Sequence, residues 1–220
     1  MSIIDQLLSV FAPYECLGCS AEGSLLCTAC TQQLPTLPQR CYRCLRLSAG
    51  SLTCPGCAPA SNLQRVMAGA AYSGAAKELV ASLKFAGAQA AARRMAPRLS
   101  QLLEANEGLL VPVPTATNRV RGRGYDQAKL LARELSRRSR LPYLDCLARS
   151  GHTHQVGASR RQRLSQLDGA FRVSDPKRVR GARILLVDDV ITTGATLEAA
   201  ARALQLHGAG RIAAIVFAQA

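Results

Sequence analysis

Apolar runs and amphipathic stretches alternate along the chain from residue 64 onwards. Short runs rich in Val, Ile, Leu and Ala predict strands at residues 66–72, 109–113, 143–147, 184–187 and 212–217. Segments with apolar residues three and four positions apart predict helices at residues 75–85, 88–103, 126–138, 159–167 and 195–207. Strands that alternate with helices are typical of an α/β fold, a mostly parallel sheet flanked by helices.

The chain before residue 64 has a different pattern. Residues 58–62, APASN, read as a linker of small and turn-forming residues, so we expect two units, 1–60 and 64–220. Apolar residues within the first 13 positions fall at helical spacing and predict a short docking helix, with a membrane-surface anchor as the alternative. No run approaches the roughly 18 apolar residues of a membrane span, and no basic leader begins the chain. We therefore expect neither a transmembrane segment nor a secretory signal.

Eight of the nine cysteines form four C-x-x-C pairs in the N-terminal unit. Two thiolates separated by two residues can face one ion from a single turn, and two such turns complete a tetrahedral site. The predicted zinc ligands are Cys16, Cys19, Cys27, Cys30, Cys41, Cys44, Cys54 and Cys57. Sequential pairing places the first four on one Zn²⁺ and the last four on another. A cross-brace, which joins the first pair to the third and the second pair to the fourth, is the alternative.

Other uses of these cysteines fit the pattern less well. Disulfides would indicate a secreted protein, which the N-terminus does not predict. An iron–sulfur cluster fits four evenly arranged C-x-x-C pairs less well, and redox chemistry does not need four such pairs. A closed Cys₄ site has no open coordination position, so it serves structure or partner recruitment rather than catalysis. A small Cys-rich zinc-binding module is thus expected to precede the α/β unit.

Residues 184–200, ILLVDDVITTGATLEAA, carry the main candidate chemistry. A predicted buried strand ends in Asp188 and Asp189, and a loop of Thr192, Thr193, Gly194, Ala195 and Thr196 leads into a helix. Backbone N–H groups at such a helix start favour a phosphate, and the threonine hydroxyls add donors. Paired carboxylates suit the vicinal hydroxyls of a ribose, with a divalent metal nearby. The predicted ligand is a ribose 5-phosphate, and the alternative is an ordinary capped turn. A Walker A loop is excluded because no lysine follows the glycine.

The formal net charge of +14 indicates a chain that binds anions, and zinc-bound thiolates would leave it strongly positive. Aromatic residues make up only 4%, which argues against a base-stacking platform.

Arg119, Arg121 and Arg123 occupy alternate positions and, on an extended backbone, would offer donors to phosphate from one side. The polar, basic segment 149–171 is predicted to be a mobile lid. Lys84 could reach a pyrophosphate.

The segment 184–200 closely resembles the phosphoribosyl pyrophosphate (PRPP) signature of type I phosphoribosyltransferases. The order of motifs, four C-x-x-C pairs, Y-x-G, L-K-F, V-P-V-P, R-x-R-G-Y-D-Q-A, a T-x-Q loop and VDDVITTGATL, resembles the ComF (competence protein F) family over nearly the whole chain. Two departures concern fine positioning. Asp126 stands where the family usually has Asn, and the T-x-Q loop is one residue shorter than the commoner spacing.

The resemblance implies roles for the candidate residues. Asp188 and Asp189 would hold the ribose 2′- and 3′-hydroxyls, and residues 192–196 (the phosphate loop) would wrap the 5-phosphate of Mg²⁺-PRPP. Arg121 and Arg123 would stabilise the departing pyrophosphate. Thr192 stands where 6-oxopurine transferases carry an aspartate, so a hypoxanthine or guanine acceptor is not expected.

Two functions follow from the resemblance. The first is a PRPP-binding, phosphoribosyltransferase-like protein that handles imported single-stranded DNA during natural competence, with competence-machinery proteins as partners. The alternative is an active phosphoribosyltransferase of nucleotide metabolism or salvage with a non-6-oxopurine acceptor. A purine-sensing transcription factor would need a DNA-reading element, for which the zinc module is the candidate. The expected location is the cytoplasm, with the inner face of the membrane as a peripheral site.

Overall fold

The structure is a computed structural model that describes residues 14–85, 88–104, 107–149 and 169–220. The predicted docking helix in the first 13 residues, the predicted helix at 159–167 and most of the predicted lid lie outside the described residues.

Six strands occur in the described part of the chain. They are β1 (Val66–Ala71), β2 (Leu109–Pro112), β3 (Leu147–Arg149), β4 (Phe171–Val173), β5 (Ile184–Ile191) and β6 (Ile212–Gln219). Four of them form a parallel sheet in the order β1-β6-β5-β2, and β3 pairs with β4 in a separate antiparallel ribbon. The central strands are apolar almost throughout because both faces of the sheet are covered. The predicted mostly parallel sheet is confirmed.

Helices connect these strands. They are α1 (Thr28–Gln32), α2 (Gly74–Lys84), α3 (Ala88–Ser100), α4 (Thr117–Arg123), α5 (Gln127–Ser139), α6 (Pro176–Val179) and α7 (Ala195–Leu206). Single turns of 3₁₀ helix occur at Ala49–Ser51 and Ala58–Ala60. None of the helices in the described ranges has the length and apolar composition needed to cross a membrane.

Alternation along β5 separates two cores. Leu185 and Val187 pack on the face covered by α2, α3 and α5, whereas Ile184 and Leu186 pack on the face covered by α7. All four side chains are buried. Because β5 is held on both faces and paired on both edges, its carboxyl end is a rigid support for the residues that follow.

The cysteine-rich segment packs against both cores. Cys16 and Leu26 join the core on the α2 face, and Tyr42 and Leu63 join the core on the α7 face. The backbone N–H of Ala71, at the end of β1, donates to a carbonyl in the stretch between the two halves of the segment, that of Pro35 (3.0 Å). The division into units 1–60 and 64–220 stays a prediction.

Strand β5 is longer than predicted. The strand was expected to end at residue 187, but pairing with β6 continues past it, with Asp188 opposite Val216 and Val190 opposite Ala218. The neighbouring strand β6 is apolar as far as Ala218 and offers partners up to Gln219, so the two carboxylates lie within the sheet. They are consequently less mobile than loop residues.

Two further predictions of local structure are wrong. Residues 143–147 form only a single parallel bridge, between Tyr143 and Leu110, and the strand in this region is β3. The arginine-rich stretch is not extended, because residues 117–123 form α4, which ends at Gly124 in the left-handed conformation with φ of +78°. Side chains two positions apart in a helix point about 200° from each other, so Arg121 and Arg123 do not face one way.

Candidate functional site

A cleft of about 310 Å³ lies at the carboxyl ends of β2 and β5. Parallel α/β sheets bind ligands at this edge, because the loops that follow the strands converge there. The structure brings several predicted residues together with others that were not predicted. The lining includes Lys84, Thr115, Gln127, Asp188, Asp189, Thr192 and Thr196.

The two aspartates are oriented by their own backbone. Oδ1 of Asp188 accepts a hydrogen bond from the N–H of Asp189 (2.8 Å), and Oδ1 of Asp189 accepts from the N–H of Val190 (2.9 Å). Burial and the neighbouring charge of Asp189 raise the pKa of Asp188 well above 3.8. The Asp188 carboxyl is therefore costly to ionise until a donor or a cation arrives.

The second oxygen of Asp189 lacks a hydrogen-bond donor. Oδ2 of Asp189 is buried and has no hydrogen-bond partner among the described residues, although the Lys84 ammonium lies 3.2 Å away. The contact is thus an ion pair without hydrogen-bond geometry. A buried acceptor without a donor is uncommon in folded proteins and suits a ligand hydroxyl.

The phosphate loop lies at the start of α7. Gly194 has φ of +77° and is the N-terminal cap residue of this helix. The first N–H groups of any helix have no acceptor within it, and here they follow directly on Gly194. Oγ1 of Thr193 accepts from the N–H of Ala195 at the long distance of 3.4 Å, and Thr192 and Thr193 are exposed. The loop therefore keeps donors that an anion can use.

Gly194 is required by a neighbour that the sequence pattern did not reveal. A Cβ atom at Gly194 would lie 2.8 Å from the ring of Tyr42, closer than real contacts allow. Tyr42 lies between two of the clustered cysteines and is buried. The glycine thus serves both the left-handed turn and the close approach of the cysteine-rich segment.

Asp126 ties the loop after β2 to the start of α5. Its carboxylate accepts from the N–H of Thr115 (3.0 Å) and from the hydroxyl of the same residue (3.2 Å). It also caps α5 by accepting from the N–H groups of Ala128 (3.0 Å) and Lys129 (3.4 Å). A carboxylate accepts on both oxygens, whereas an asparagine amide accepts on one. Asp126 therefore fixes Thr115, which lines the cleft, relative to the start of α5.

The eight cysteines form two sequential clusters. Cluster 1 contains Cys16, Cys19, Cys27 and Cys30, and cluster 2 contains Cys41, Cys44, Cys54 and Cys57. Within each cluster the sulfur atoms lie within 4.8 Å of one another, with separations of 3.9 Å between Cys19 and Cys27 and 3.6 Å between Cys44 and Cys54. A tetrahedron with Zn–S bonds of about 2.3 Å has edges of about 3.8 Å. Both clusters could hold Zn²⁺, and their arrangement is the sequential one, not the cross-brace.

The thiols of each cluster differ in acidity. The N–H of Cys27 donates to Sγ of Cys16 (3.3 Å) and lowers the pKa of Cys16 to about 6. Hydrogen bonds with the Cys27 and Cys19 thiols raise the pKa of Cys30 to about 12. One thiolate therefore makes ionisation of the neighbouring thiols unfavourable, and a bound divalent cation would stabilise four thiolates together.

Comparison with known proteins shows the family to which the chain belongs. Residues 86–220, more than half of the chain, match the family model of the phosphoribosyl transferase domain. The chain is 30% identical over 208 residues to the DNA utilization protein YhgH of Escherichia coli (strain K12), which covers 85% of this chain and 87% of that protein. The chain belongs to the ComF family of phosphoribosyltransferase-like proteins.

Two competence proteins are further relatives of this ComF-family chain. It is 40% identical over 106 residues to Competence protein F of Haemophilus influenzae, which covers 47% of this chain and 46% of that protein. It is 33% identical over 141 residues to Competence protein ComFC of Bacillus subtilis, which covers 62% of this chain and 56% of that one. The matched region thus spans about half the length of each competence protein.

A solved structure with a related fold is the glutamine PRPP amidotransferase from B. subtilis. It matches 57% of the ComF-family chain and 26% of its own, with 20% sequence identity and a TM-score of 0.41. The likeness concerns the fold alone.

The arginines predicted to hold pyrophosphate lie outside the cleft lining of the described residues. Nη1 of Arg123 donates to Oε1 of Gln127 (2.8 Å), and its guanidinium lies 6.0 Å from the ring centroid of Phe85. Arg121 is exposed on α4. In this ComF-family protein Arg123 therefore borders the cleft through Gln127, while Arg121 faces solvent.

Proposed function

We propose that this ComF-family protein binds PRPP, together with Mg²⁺, in the cleft at the end of β5. The observation that supports this most strongly is Oδ2 of Asp189, which is buried shortly before the phosphate loop and has no hydrogen-bond partner among the described residues. Ribose hydroxyls would supply the donors that the aspartate pair lacks, and the start of α7 would receive the 5-phosphate. A sugar phosphate satisfies both halves of the cleft at once.

Each part of the ligand would have its own protein contacts. Asp188 and Asp189 would accept hydrogen bonds from the 2′- and 3′-hydroxyls, and the N–H groups of residues 192–196 would donate to the 5-phosphate. Lys84 would turn its ammonium towards the pyrophosphate oxygens once ribose donors satisfy Asp189. Mg²⁺ that enters with PRPP would neutralise charge on the pyrophosphate. The cleft has carboxylates on the ribose side and hydrogen-bond donors on the phosphate side, which suits PRPP.

Arg123 would extend the pyrophosphate side of the cleft. Held by Gln127 at the cleft border, it is proposed to reach one pyrophosphate oxygen through its forked donors. Arg121 points away from Arg123 around α4 and faces solvent, so no contact with the pyrophosphate is proposed for it.

We propose further that the protein handles single-stranded DNA during natural competence. The names of its relatives, Competence protein F and DNA utilization protein, and its net charge of +14 support this. Free thiols grouped for metal, rather than disulfides, support a cytoplasmic site of action, and competence-machinery proteins at the inner face of the membrane would be the partners.

An active transferase is the second candidate. Thr192 and the aspartate pair would accommodate transfer of the phosphoribosyl group to an acceptor that is already acidic, so that no protein base is needed. Release of pyrophosphate with one nucleobase, and not with hypoxanthine or guanine, would favour this candidate over a binding protein.

Calorimetric titration of Mg²⁺-PRPP into zinc-loaded protein tests the ligand. We expect binding by the wild type and at least a hundredfold loss in Asp188→Asn/Asp189→Asn, since each lost charged hydrogen bond is worth about 1.5 kcal/mol or more. Asp145→Asn/Asp175→Asn removes the same charge elsewhere on the surface and should bind as the wild type does. No binding by the folded wild type, or equal binding by both double variants, would refute the proposal.

Fluorescence anisotropy with labelled oligonucleotides tests the nucleic-acid partner. We expect single-stranded DNA to bind with little sequence preference and to lose about a hundredfold or more in affinity between 50 and 200 mM salt, because the contacts would be mainly with phosphates. A duplex of the same sequence is the control. Affinity that is insensitive to salt, or that depends strongly on sequence, would contradict this part of the proposal.

A further inference from the structure

Glu198 joins the phosphate loop to the cysteine-rich segment. It lies in the first turn of α7, and its backbone N–H donates to the carbonyl of Gly194 (2.9 Å). Its Oε1 accepts from the Tyr42 hydroxyl and from Nη1 of Arg43 (3.0 Å). Its Oε2 accepts from the N–H (2.9 Å) and the side-chain amide (3.1 Å) of Asn62. Four donors from the cysteine-rich segment and its linker thus converge on one carboxylate.

Hydrogen bonds to the Glu198 carboxylate offset the cost of its burial. Burial alone would raise the pKa of Glu198, but the hydrogen bonds from Tyr42 and Asn62 outweigh it and lower that pKa below its usual 4.5. The contact is therefore an intact charge-assisted network at neutral pH, of the kind that fixes geometry.

Tyr42 also supports the loop directly. Its ring lies against Gly194, where even a methyl group would collide with it. Its hydroxyl lies 2.7 Å from Oγ of Ser61, which orients the ring from the other side. The position of Tyr42 therefore determines the space available to the turn at Gly194.

Tyr42 lies within one of the two cysteine turns of cluster 2. Tyr42 and Arg43 are the two residues between Cys41 and Cys44, so they form the turn that carries two of the four thiolates of cluster 2. The N–H groups of Cys41 and Leu45 donate to the carbonyls of Arg46 (2.9 Å) and Cys41 (2.8 Å) and shape this turn, and a metal ion would tie it to the second pair, Cys54 and Cys57. Zinc at cluster 2 would hold both residues against Glu198.

We infer that cluster 2 is a positioning element of the phosphate site. Metal held by Cys41, Cys44, Cys54 and Cys57 keeps Tyr42 against Gly194 and Glu198, and this contact sets the start of α7 for the 5-phosphate. Tyr42 and Glu198 are positioning residues that act through the loop. The inference rests on the proposed PRPP site for its effect on affinity, but the structural coupling does not.

Cluster 1 provides an internal comparison. Cys16 packs with Leu26 into the core on the α2 face of the sheet, opposite α7. The second cysteine of the first pair is exposed in both clusters, Cys19 in cluster 1 and Cys44 in cluster 2. The same substitution can thus be made at equivalent positions of two similar sites, one of which touches the phosphate loop.

The experiment compares Cys44→Ser with Cys19→Ser. Zinc content is measured by elemental analysis, folding by circular dichroism, and the exchange of backbone amides at residues 194–198 by mass spectrometry. We expect each variant to hold less zinc, but only Cys44→Ser to exchange at least tenfold faster at residues 194–198. Equal exchange at these residues in the two folded variants would overturn the inference, whether or not PRPP binds.

Glu198→Gln tests the contact without touching a cysteine. It should keep two zinc ions, exchange faster at residues 194–198, and bind Mg²⁺-PRPP about tenfold more weakly than the wild type. Tyr42→Phe, which removes only the hydroxyl, should shift both quantities in the same direction. Glu78→Gln, an exposed glutamate on α2, is the control. Wild-type exchange in Glu198→Gln and Tyr42→Phe would overturn the inference. Faster exchange without any PRPP binding by the wild type would refute the proposed ligand alone.

Discussion

The ammonium group of Lys84 lies 3.2 Å from Oδ2 of Asp189, which joins the end of α2 to the carboxyl half of β5. Lys84 is 27% exposed and Asp189 9% exposed, so both charges are largely removed from water. The hydroxyl of Tyr125 donates to the carbonyl oxygens of Leu83 (3.2 Å) and Phe85 (2.7 Å), on either side of Lys84. The lysine is therefore held at the cleft by the R-x-R-G-Y-D-Q-A segment as well as by its own helix.

Substitution of this lysine should weaken ligand binding. Lys84→Met is expected to lower the affinity for Mg²⁺-PRPP about tenfold, because a charged contact with pyrophosphate is worth about 1.5 kcal/mol. Lys77→Met, on the exposed side of the same helix, should leave the affinity unchanged. Calorimetry measures both. Unchanged affinity in a folded Lys84→Met protein would show that this lysine serves the aspartate and not the ligand.

The raised pKa of Asp188 predicts that the site is destabilising. When the pKa of a carboxyl is higher in the folded than in the unfolded chain, its contribution to the free energy of unfolding is full below pH 3.8. That contribution is lost as the pH rises through the pKa of the folded chain. Asp188→Asn keeps an acceptor for the N–H of Asp189 and removes the charge. We therefore expect the ligand-free variant to melt about 2 °C or more above the wild type at pH 8, with the gap narrowing towards acid.

Thermal melts of both proteins between pH 5.5 and 8.5 check this expectation. Asp145→Asn, at an exposed aspartate that pairs with Lys129, serves as the control and should show no such gain. A wild type that is more stable than Asp188→Asn at pH 8 would contradict the account.

Asp126 should be important for stability as well as for the shape of the cleft. Asp126→Ala removes the cap of α5 and both acceptors of Thr115, which should lower the free energy of unfolding by about 2 kcal/mol. Asp126→Asn keeps the cap and loses one acceptor, so the free energy of unfolding should fall by only about 1 kcal/mol. Urea denaturation measures both. Asp175→Ala removes the single cap bond of the short helix α6 and should change less. Equal losses in the Ala and Asn variants would argue against the role of Thr115.

The two cysteine clusters should bind metal independently. We expect two zinc ions per chain, and one in Cys54→Ser, since the sulfur atoms of cluster 1 are unaffected by that change. Cobalt substitution should give the visible spectrum of tetrahedral thiolate coordination. Cys146→Ser, at a buried cysteine outside both clusters, is the control and should keep both zinc ions. Loss of both zinc ions from folded Cys54→Ser would show that the clusters are linked.

Local patterns predicted the elements that carry the chemistry. The apolar run before Asp188, the small-residue turn and the helix after it are adjacent in sequence, so their spacing alone indicated strand, loop and helix. The cysteine pairs are equally local, and the short gaps between them made sequential clusters the simpler arrangement. The structure agrees with both of these expectations.

Contacts between distant segments could not be predicted in this way. The bond between Tyr42 and Glu198 joins residues 156 positions apart, and no periodicity marks either of them. The error at Arg121 and Arg123 has a different cause. Charges at alternate positions suggested an extended strand, but residues Thr117–Arg123 form a helix that ends at Gly124 in the left-handed conformation. Arg123 meets Gln127 only four positions further on, across the turn at Gly124 that separates α4 from α5.

A crystal structure of the zinc-loaded protein with Mg²⁺ and PRPP would locate the ligand. We expect the 5-phosphate within hydrogen-bond distance of the N–H groups of residues 192–196 and the ribose hydroxyls on Asp188 and Asp189. Lys84 should then have left Oδ2 of Asp189. A ligand bound elsewhere, or one that reaches the cleft with its pyrophosphate on the phosphate loop and its ribose away from the aspartates, would contradict the proposal.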